Sequence, residues 1–382
     1  MEIKSFSSDN KKELKRFVRF PKHLYKDDPN YVKPLKSELL GSRLLGASGL
    51  LTSRHPYHKH SVTKYFIVEE GKDILGRIAA TVNYNHNKTH NESIGFFGFF
   101  ESIDDDDISS RLFDAASEFL RENGMEAIRG PASFSLNDIC GLLIDGFDTP
   151  PYLDMGHNPS YYQELIENYG FDKVKDLLAY KIDLVENKEE IVKKLDRIDS
   201  IVLKANKKGK VRIRNVDFDN IEEDFNIIRR IYNEAWKDNW GHDPLTKEEF
   251  DITASNLKRI ANPKLIYIGY YNDEPVAFYG AIPNLNQILI KKSPEIFRLA
   301  KLIINKNKID QIRMMLFGIL SGYRAKGIDA FMFAKSFRYA MNHGFKEAEI
   351  SWLLEDNVMV IRPTEYWGGE VYKRYRMYEK RL

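Results

Sequence analysis

The sequence predicts an α+β protein built as a tandem repeat of one strand-and-helix domain. Two pairs of β-rich runs flank short polar turns, as hairpins do: residues 62–69 with 74–82, and 265–271 with 276–282. Each pair leads to an apolar strand-like run, an amphipathic helix, a Gly that stops the helix, and a further strand. The tails match as well: Tyr169-Gly170-Phe171-Asp172 parallels Trp367-Gly368-Gly369-Glu370, and Gly170 to Tyr180 spans the same 10 residues as Gly368 to Tyr378.

Taken in order, residues 94–101 (IGFFGFFE) are almost wholly apolar, as a strand buried on both faces must be. Asp104-Asp105-Asp106-Asp107 then open a helix whose Ile108, Leu112, Ala115, Ala116, Phe119 and Leu120 share one face. The aspartates complement the positive end of the helix dipole, Asn123-Gly124 stops the helix, and 125–129 reads as a strand. In the second series, 222–236 is an amphipathic helix with Phe225, Ile228, Ile231, Tyr232 and Ala235 on its stripe. Thr246-Lys247-Glu248-Glu249 approximates a capping box before another helix. Residues 312–320 form a strand, 328–342 a helix and 347–354 a strand.

At about 150 residues per domain, a chain of this length holds two. They are drawn at 1–187 and 188–382, with a hinge near 185–188 and 204–210 (KANKKGK) as the alternative linker. With 43% hydrophobic and 30% charged residues, the chain has the material for packed cores. A net charge of +2 offers no bulk attraction for nucleic acid. Cys140 is the only cysteine, which excludes an internal disulfide and a thiolate metal cluster. The start lacks a signal peptide's apolar core, and no window approaches eighteen apolar residues without a charge. The expectation is a soluble, cytoplasmic protein.

One difference between the halves bears on function. Gly124 to Gly170 spans 46 residues whereas Gly344 to Gly368 spans 24, so the first half carries 22 extra within 130–159. This segment, rich in Gly, Pro, Asn and Asp, reads as a long ordered loop, a usual place for functional residues. Its Asn137 and Asp138 are candidates to pair with an amine or hydroxyl acceptor, against a role in structuring the turn.

The strongest local signal is the turn Gly322-Tyr323-Arg324-Ala325-Lys326-Gly327-Ile328 between a strand and a helix. Such a turn aims backbone N–H groups at one point beside the helix dipole, and Arg324 and Lys326 add charge that suits a diphosphate. The other reading is that Gly327 permits a tight turn and the cations are solvated.

This region resembles the acyl-CoA N-acyltransferases of the Gcn5-related type, which carry Gln/Arg-x-x-Gly-x-Gly/Ala after their fourth strand. Arg324-Ala325-Lys326-Gly327-Ile328-Asp329 matches at the first and fourth positions and departs at the sixth, where Asp329 stands. The resemblance covers about residues 211–382 by motif and the first half by element order. It implies, in each copy, a mixed and mostly antiparallel sheet flanked by helices. It implies acetyl-CoA or another acyl-CoA as co-substrate, with its pyrophosphate on the 324–329 turn. The pantetheine would lie on backbone groups of Leu316, Phe317, Gly318 and Ile319, where the fourth and fifth strands splay. Asn357 matches an Asn often found after the fifth strand. The family's usual tyrosine acid falls at Thr364 or Glu365 by spacing, leaving Tyr366 close but off register.

Acyl transfer also needs a group to take the amine's proton. Glu355 and Asp356 are the nearest candidates, against a reading as exposed charges at a strand end; Tyr372 and Tyr375 are read as packing residues. In the first half, Glu101 and Asp104–Asp107 would repel a diphosphate, so that copy reads as degenerate and as shaping the acceptor site. The histidines His55, His58, His60, His86 and His90 lack fixed ligand spacing and are read as polar loop residues, with no metal expected. Cys140 is read as inert. The expected function is transfer of an acetyl or other acyl group to a primary amine, on a small molecule or peptide. Neither nucleic acid nor membrane is expected as a partner. The alternatives are a non-catalytic binding protein of the same fold, or a Fem-like transferase using aminoacyl-tRNA.

Overall fold

The computed structural model describes residues 1–205, 210–290 and 293–382 and bears out the mixed α+β class. The chain opens with β1 (Glu2–Phe6), α1 (Lys11–Arg19), α2 (Pro21–Leu24) and α3 (Lys36–Leu40). Both hairpin arms expected at 62–82 form, as β2 (Ser61–Glu70) and β3 (Asp73–Asn83), followed by α4 (Tyr84–His90) and β4 (Ile94–Ser102). Next come α5 (Asp106–Glu122), β5 (Ala127–Gly130), β6 (Leu142–Asp145), α6 (Tyr162–Asn168) and β7 (Asp172–Asp183).

The second series begins with α7 (Lys188–Ala205), β8 (Val211–Asn215), α8 (Ile221–Trp236) and α9 (Lys247–Ile260). Its hairpin is β9 (Ile266–Tyr271) with β10 (Glu274–Pro283), followed by the unforeseen helices α10 (Asn286–Leu289) and α11 (Glu295–Asn305). It closes with β11 (Gln311–Ile319), α12 (Ile328–Asn342), β12 (Glu347–Leu354), α13 (Val358–Tyr366) and β13 (Glu370–Arg381).

These elements form two units that do not follow the chain linearly. The first holds Met1–Leu177, Ile288–Ile304 and Lys373–Leu382; the second holds Leu178–Gln287 and Asn305–Tyr372. Most of β13 therefore lies in the first unit, and the second half of β7 in the second. The expected hinge at 185–188 is a turn in which Asp183 Oδ1 accepts the N–H groups of Val185 and Glu186, each at 2.8 Å. Of the alternative linker 204–210, residues 206–209 lie outside the described residues.

The sheet of the first unit runs β1-β2-β3-β4-β5-β13, with β6 also paired to β13. Its ladders are antiparallel except β4 with β5. Of the face of α5 foreseen from periodicity, Ile108, Leu112, Ala116 and Leu120 are buried in a core with Phe66, Ile78 and Phe97, Ala115 and Phe119 pack against it partly buried, and Phe113, not foreseen, joins it. Each of these Ile, Leu and Phe side chains contributes about 1.5–3 kcal/mol on full burial.

In the second unit the order is β7-β12-β11-β10-β9-β8, with β11 and β12 parallel. Along β10, alternate residues feed two cores. Ala277, Tyr279 and Ala281 pack with Ile328, Met332 and Phe333 of α12, while Phe278 packs with Ile228, Ile231 and Tyr232 of α8. The helices thus cover both faces and leave the strand ends as the place for a site.

Candidate active site

The site in the second unit starts from a ladder that stops early. Strands β11 and β12 pair from Gln311↔Glu347 to Met314↔Ile350 and no further, although β11 runs on to Ile319 and β12 to Leu354. On its other edge β11 stays paired with β10 through Ile319, with a register shift that opposes Gly280 to Leu316 and Ala281 to Met314. Met315 is the extra residue of this bulge, and a bulge adds local twist. Met315, Leu316 and Phe317 are half-buried in a strand otherwise mostly buried. Beyond Met314, the edge of β11 away from β10 has no strand beside it among the described residues. One of its backbone groups is used: Trp236 Nε1 donates to the Phe317 carbonyl at 2.9 Å.

At the base of the splay, buried charges face each other in register. Arg313 and Glu349 are opposed on β11 and β12, and both are buried. The Glu349 carboxylate accepts from the Ser351 hydroxyl and, at 2.7 Å, from the Tyr372 hydroxyl. Arg313 Nε donates to Ser351 Oγ at 3.0 Å and lies 3.8 Å from Glu349 Oε1. A fully buried carboxylate is tolerable only when paired and hydrogen-bonded like this. Sequence reasoning missed Arg313, Glu349 and Ser351 because a single charge within a strand reads as a solvent-side residue. The available signal was Glu349 inside a strand flanked by Ala348 and Ile350. Tyr372, read as packing, holds the carboxylate.

Past the end of β11, residues 321–323 make one tight helical turn and Tyr323 OH donates to Glu274 at 2.6 Å. Ala325 (φ 59°) and Gly327 (φ 77°) take left-handed backbone conformations, and Gly327 caps α12 with no side-chain hydrogen bond. The first N–H groups of α12 are therefore not closed by a side chain at the cap. A Cβ at Gly327 would meet nothing within 4 Å, so the space before the helix is open. Arg324 and Lys326 are exposed, Ile328 is buried, and Asp329 is half-buried in the first turn, where a carboxylate suits the helix dipole.

Glu355, half-buried, and the exposed Asp356 form the turn after β12, and Asn357 caps α13 without a side-chain hydrogen bond. Tyr366 ends the same helix, 41% exposed, with Lys194 Nζ 5.1 Å from its ring centre. Nine residues of helix put about 13 Å between Asn357 and Tyr366, so the fold does not bring these two together. Asn137 and Asp138 belong to the first unit, in a turn built on Ser135, whose hydroxyl donates to Asp138 Oδ2 at 3.0 Å and accepts from Asn137 N at 3.2 Å. Cys140 is buried. His58 is held below its usual pKa by burial, partly offset by its hydrogen bond to the Leu50 carbonyl.

The first unit repeats the splay but closes it. Pairing of β4 with β5 ends at Phe96↔Arg129. There the Phe97 carbonyl accepts from Ala132 N at 2.8 Å, and a Cβ on Gly98 would sit 1.9 Å from the Ala132 carbonyl oxygen. The loop thus fills its own strand edge. The helix end is filled too: Asp105 Oδ1 accepts from the N–H groups of Asp107 and Ile108, at 2.9 and 3.2 Å. Glu101 is turned inward onto Tyr25 and Tyr162 hydroxyls at 2.7 and 2.8 Å, and burial raises its carboxyl above the usual range.

Two copies of one strand order, each with a parallel pair that splays ahead of a helix, define a tandem Gcn5-related N-acetyltransferase (GNAT) fold. Solved structures agree. A tandem GNAT protein from the clavulanic acid biosynthesis pathway aligns with 100% of this chain and 98% of its own, at TM-score 0.55 and 9% identity. A GCN5-related N-acetyltransferase from Sphaerobacter thermophilus aligns with 100% and 95%, at TM-score 0.51 and 11% identity. At such identities the likeness shows the fold alone. No protein-family model matches the chain. Sequence relatives are nearer. Protein YghO of Escherichia coli (strain K12) is 32% identical over 98% of this chain and 94% of its own. The bacterial ceramide synthase of Caulobacter vibrioides (strain NA1000 / CB15N) is 31% identical over 97% and 95%. The chain belongs to the family of these two proteins.

Proposed function

We propose that the second unit is an acyl-CoA-dependent N-acyltransferase and that its acceptor is a long-chain amino alcohol. The observation that carries the reading is the continuity of the unpaired edge of β11 with the uncapped N-terminus of α12. In this reading Arg324, Lys326 and the amides from Gly327 to Asp329 hold the diphosphate. The open-edge backbone groups of Ile319 and the Phe317 N–H, which alternate with those of Leu316 and Gly318 turned toward β10, line the pantetheine, with the Phe317 carbonyl already committed to Trp236. The acceptor class comes from the relative named bacterial ceramide synthase, since a ceramide is the amide of a fatty acid and a long-chain amino alcohol.

Chemically, the amine nitrogen attacks the thioester carbonyl, a C–N bond forms, and the C–S bond breaks to leave the CoA thiolate. Holding the two groups about 3–3.5 Å apart supplies much of the rate. Glu355, at the open end of β12, is the group we assign to take the amine proton, directly or through water. Glu349 is the positioning residue: already satisfied by Ser351 and Tyr372, it keeps the base of the splay fixed.

The test is to incubate the purified protein with a long-chain acyl-CoA and either sphinganine or short alkylamines, following thiol release and amide mass. Amide with sphinganine is the expected result. Amide with short amines alone overturns the acceptor, and no thiol release with any amine overturns the enzyme in favour of a non-catalytic binding protein.

A further inference from the structure

Helix α11 belongs to the 27-residue connection between β10 and β11 (residues 284–310), yet its residues up to Ile304 pack into the first unit. Its inner side is anchored by charge. Arg298, 3% exposed, donates from Nη2 to the Lys33 carbonyl at 2.6 Å and from Nε to the Leu289 carbonyl at 2.9 Å. The Glu295 carboxylate accepts the N–H groups of Lys36 and Ser37, at 2.9 and 3.2 Å, and so caps α3. The outer side is apolar and bare: Ile296 is 67% exposed, Phe297 60%, Ile303 75% and Ile304 76%. At 100° per residue these four lie within an arc of about 120°, opposite Arg298. Isolated exposed hydrophobics are ordinary; four on one face of an 11-residue helix are not.

We propose that this face of α11 docks on a lipid bilayer that carries anionic headgroups. The charges around it select that occupant. Lys301 is exposed and borders the apolar arc, and Lys306 and Lys308, exposed, follow the helix directly in the chain. The helix's one carboxylate, Glu295, is turned inward onto α3. An apolar stripe edged by lysines is the pattern of a helix lying in the interface plane, with the lysine stems reaching toward headgroups. The expectation of no membrane partner rested on spanning segments, and no described helix is long and apolar enough to cross a membrane. A surface helix needs no such length. The inference stands on α11 and the lysines that follow it in the chain, and is independent of the acyl-transfer reading.

Co-sedimentation of the full chain with vesicles tests it. The protein is expected to sediment with vesicles of phosphatidylcholine mixed with phosphatidylglycerol, and much less with phosphatidylcholine alone. The double variant Ile303→Ser with Ile304→Ser should lose at least about tenfold in apparent affinity. Lys306→Ala with Lys308→Ala should lose about tenfold on the mixed vesicles only. All four side chains are exposed, so unchanged thermal midpoints should accompany both results. Failure of the wild type to sediment with mixed vesicles, or an Ile303→Ser, Ile304→Ser variant that sediments like it, overturns the proposal. Equal binding to phosphatidylcholine alone overturns the anionic preference. Self-association of the wild type, abolished by the isoleucine variant, overturns the bilayer in favour of a second copy.

Discussion

The two halves reach the same construction and finish it in opposite ways. In both, a parallel ladder ends early, at Phe96↔Arg129 and at Met314↔Ile350, and a bulge in the preceding ladder lies close by. In the first half the loop after β5 fills the edge and Asp105 fills the helix end. In the second half the Trp236 indole is what meets the edge among the described residues, and the helix end is a glycine with open space before it. The fold alone therefore does not decide whether a copy keeps an open strand edge beside an open helix end. What separates the copies is a backbone edge left unpaired and a cap left without a side chain.

The largest effect that would sharpen this comparison concerns the buried charges of the open copy. Arg313→Met removes the guanidinium that faces the buried Glu349 carboxylate and should cost about 3–5 kcal/mol by denaturant unfolding. A cost near zero would show that the pair does not fix the splay. In the first unit, strands of the two copies meet: Arg376 donates to Asp176 at 2.8 and 3.2 Å, and Lys173 lies 3.0 Å away. Positions 176 and 374, equivalent when Gly170 is set on Gly368, carry opposite charges 3.7 Å apart. Burial opposes ionisation of Asp176, but the hydrogen bonds from Arg376 and Lys173 outweigh it and hold its carboxyl below the usual range. A carboxyl depressed on folding stabilises at every pH above its unfolded value, about 4, and that stability is lost as pH falls through the folded value. Asp176→Asn should cost about 2–3 kcal/mol at neutral pH and flatten the acid limb of the stability profile. An unchanged acid limb would break the assignment. Smallest is Asp105→Ala, which should cost about 1 kcal/mol by uncapping α5. It should confer no coenzyme binding, because the loop at Ala132 still fills that strand edge.

Periodicity made α12 and β12 legible to the residue, and the hairpins to within one or two. The exchange of β7 and β13 between units was not legible: the aligned strands look alike, and pairing partners leave no local trace. Nor was α11, whose stripe of isoleucines reads like a core helix yet faces outward. In the site, the turn at 324–329 was visible through its glycine and cations. Asn137 and Asp138 could not be told from loop polars, and the structure places them in a turn on Ser135. Glu349 and Arg313 escaped because their pairing is across strands, where spacing along the chain carries no signal.

The most direct measurement is a calorimetric titration of coenzyme A into the wild type, Gly327→Asn and Gly327→Asp. Asn and Asp have the same shape and both tolerate the left-handed backbone at this position, so the two variants differ in charge alone. The open helix end predicts that Gly327→Asn binds within a few-fold of wild type and Gly327→Asp at least about tenfold more weakly, as a carboxylate among those amides repels the diphosphate. Equal affinities for the two variants, or no binding by the wild type, would contradict a coenzyme seat at the start of α12.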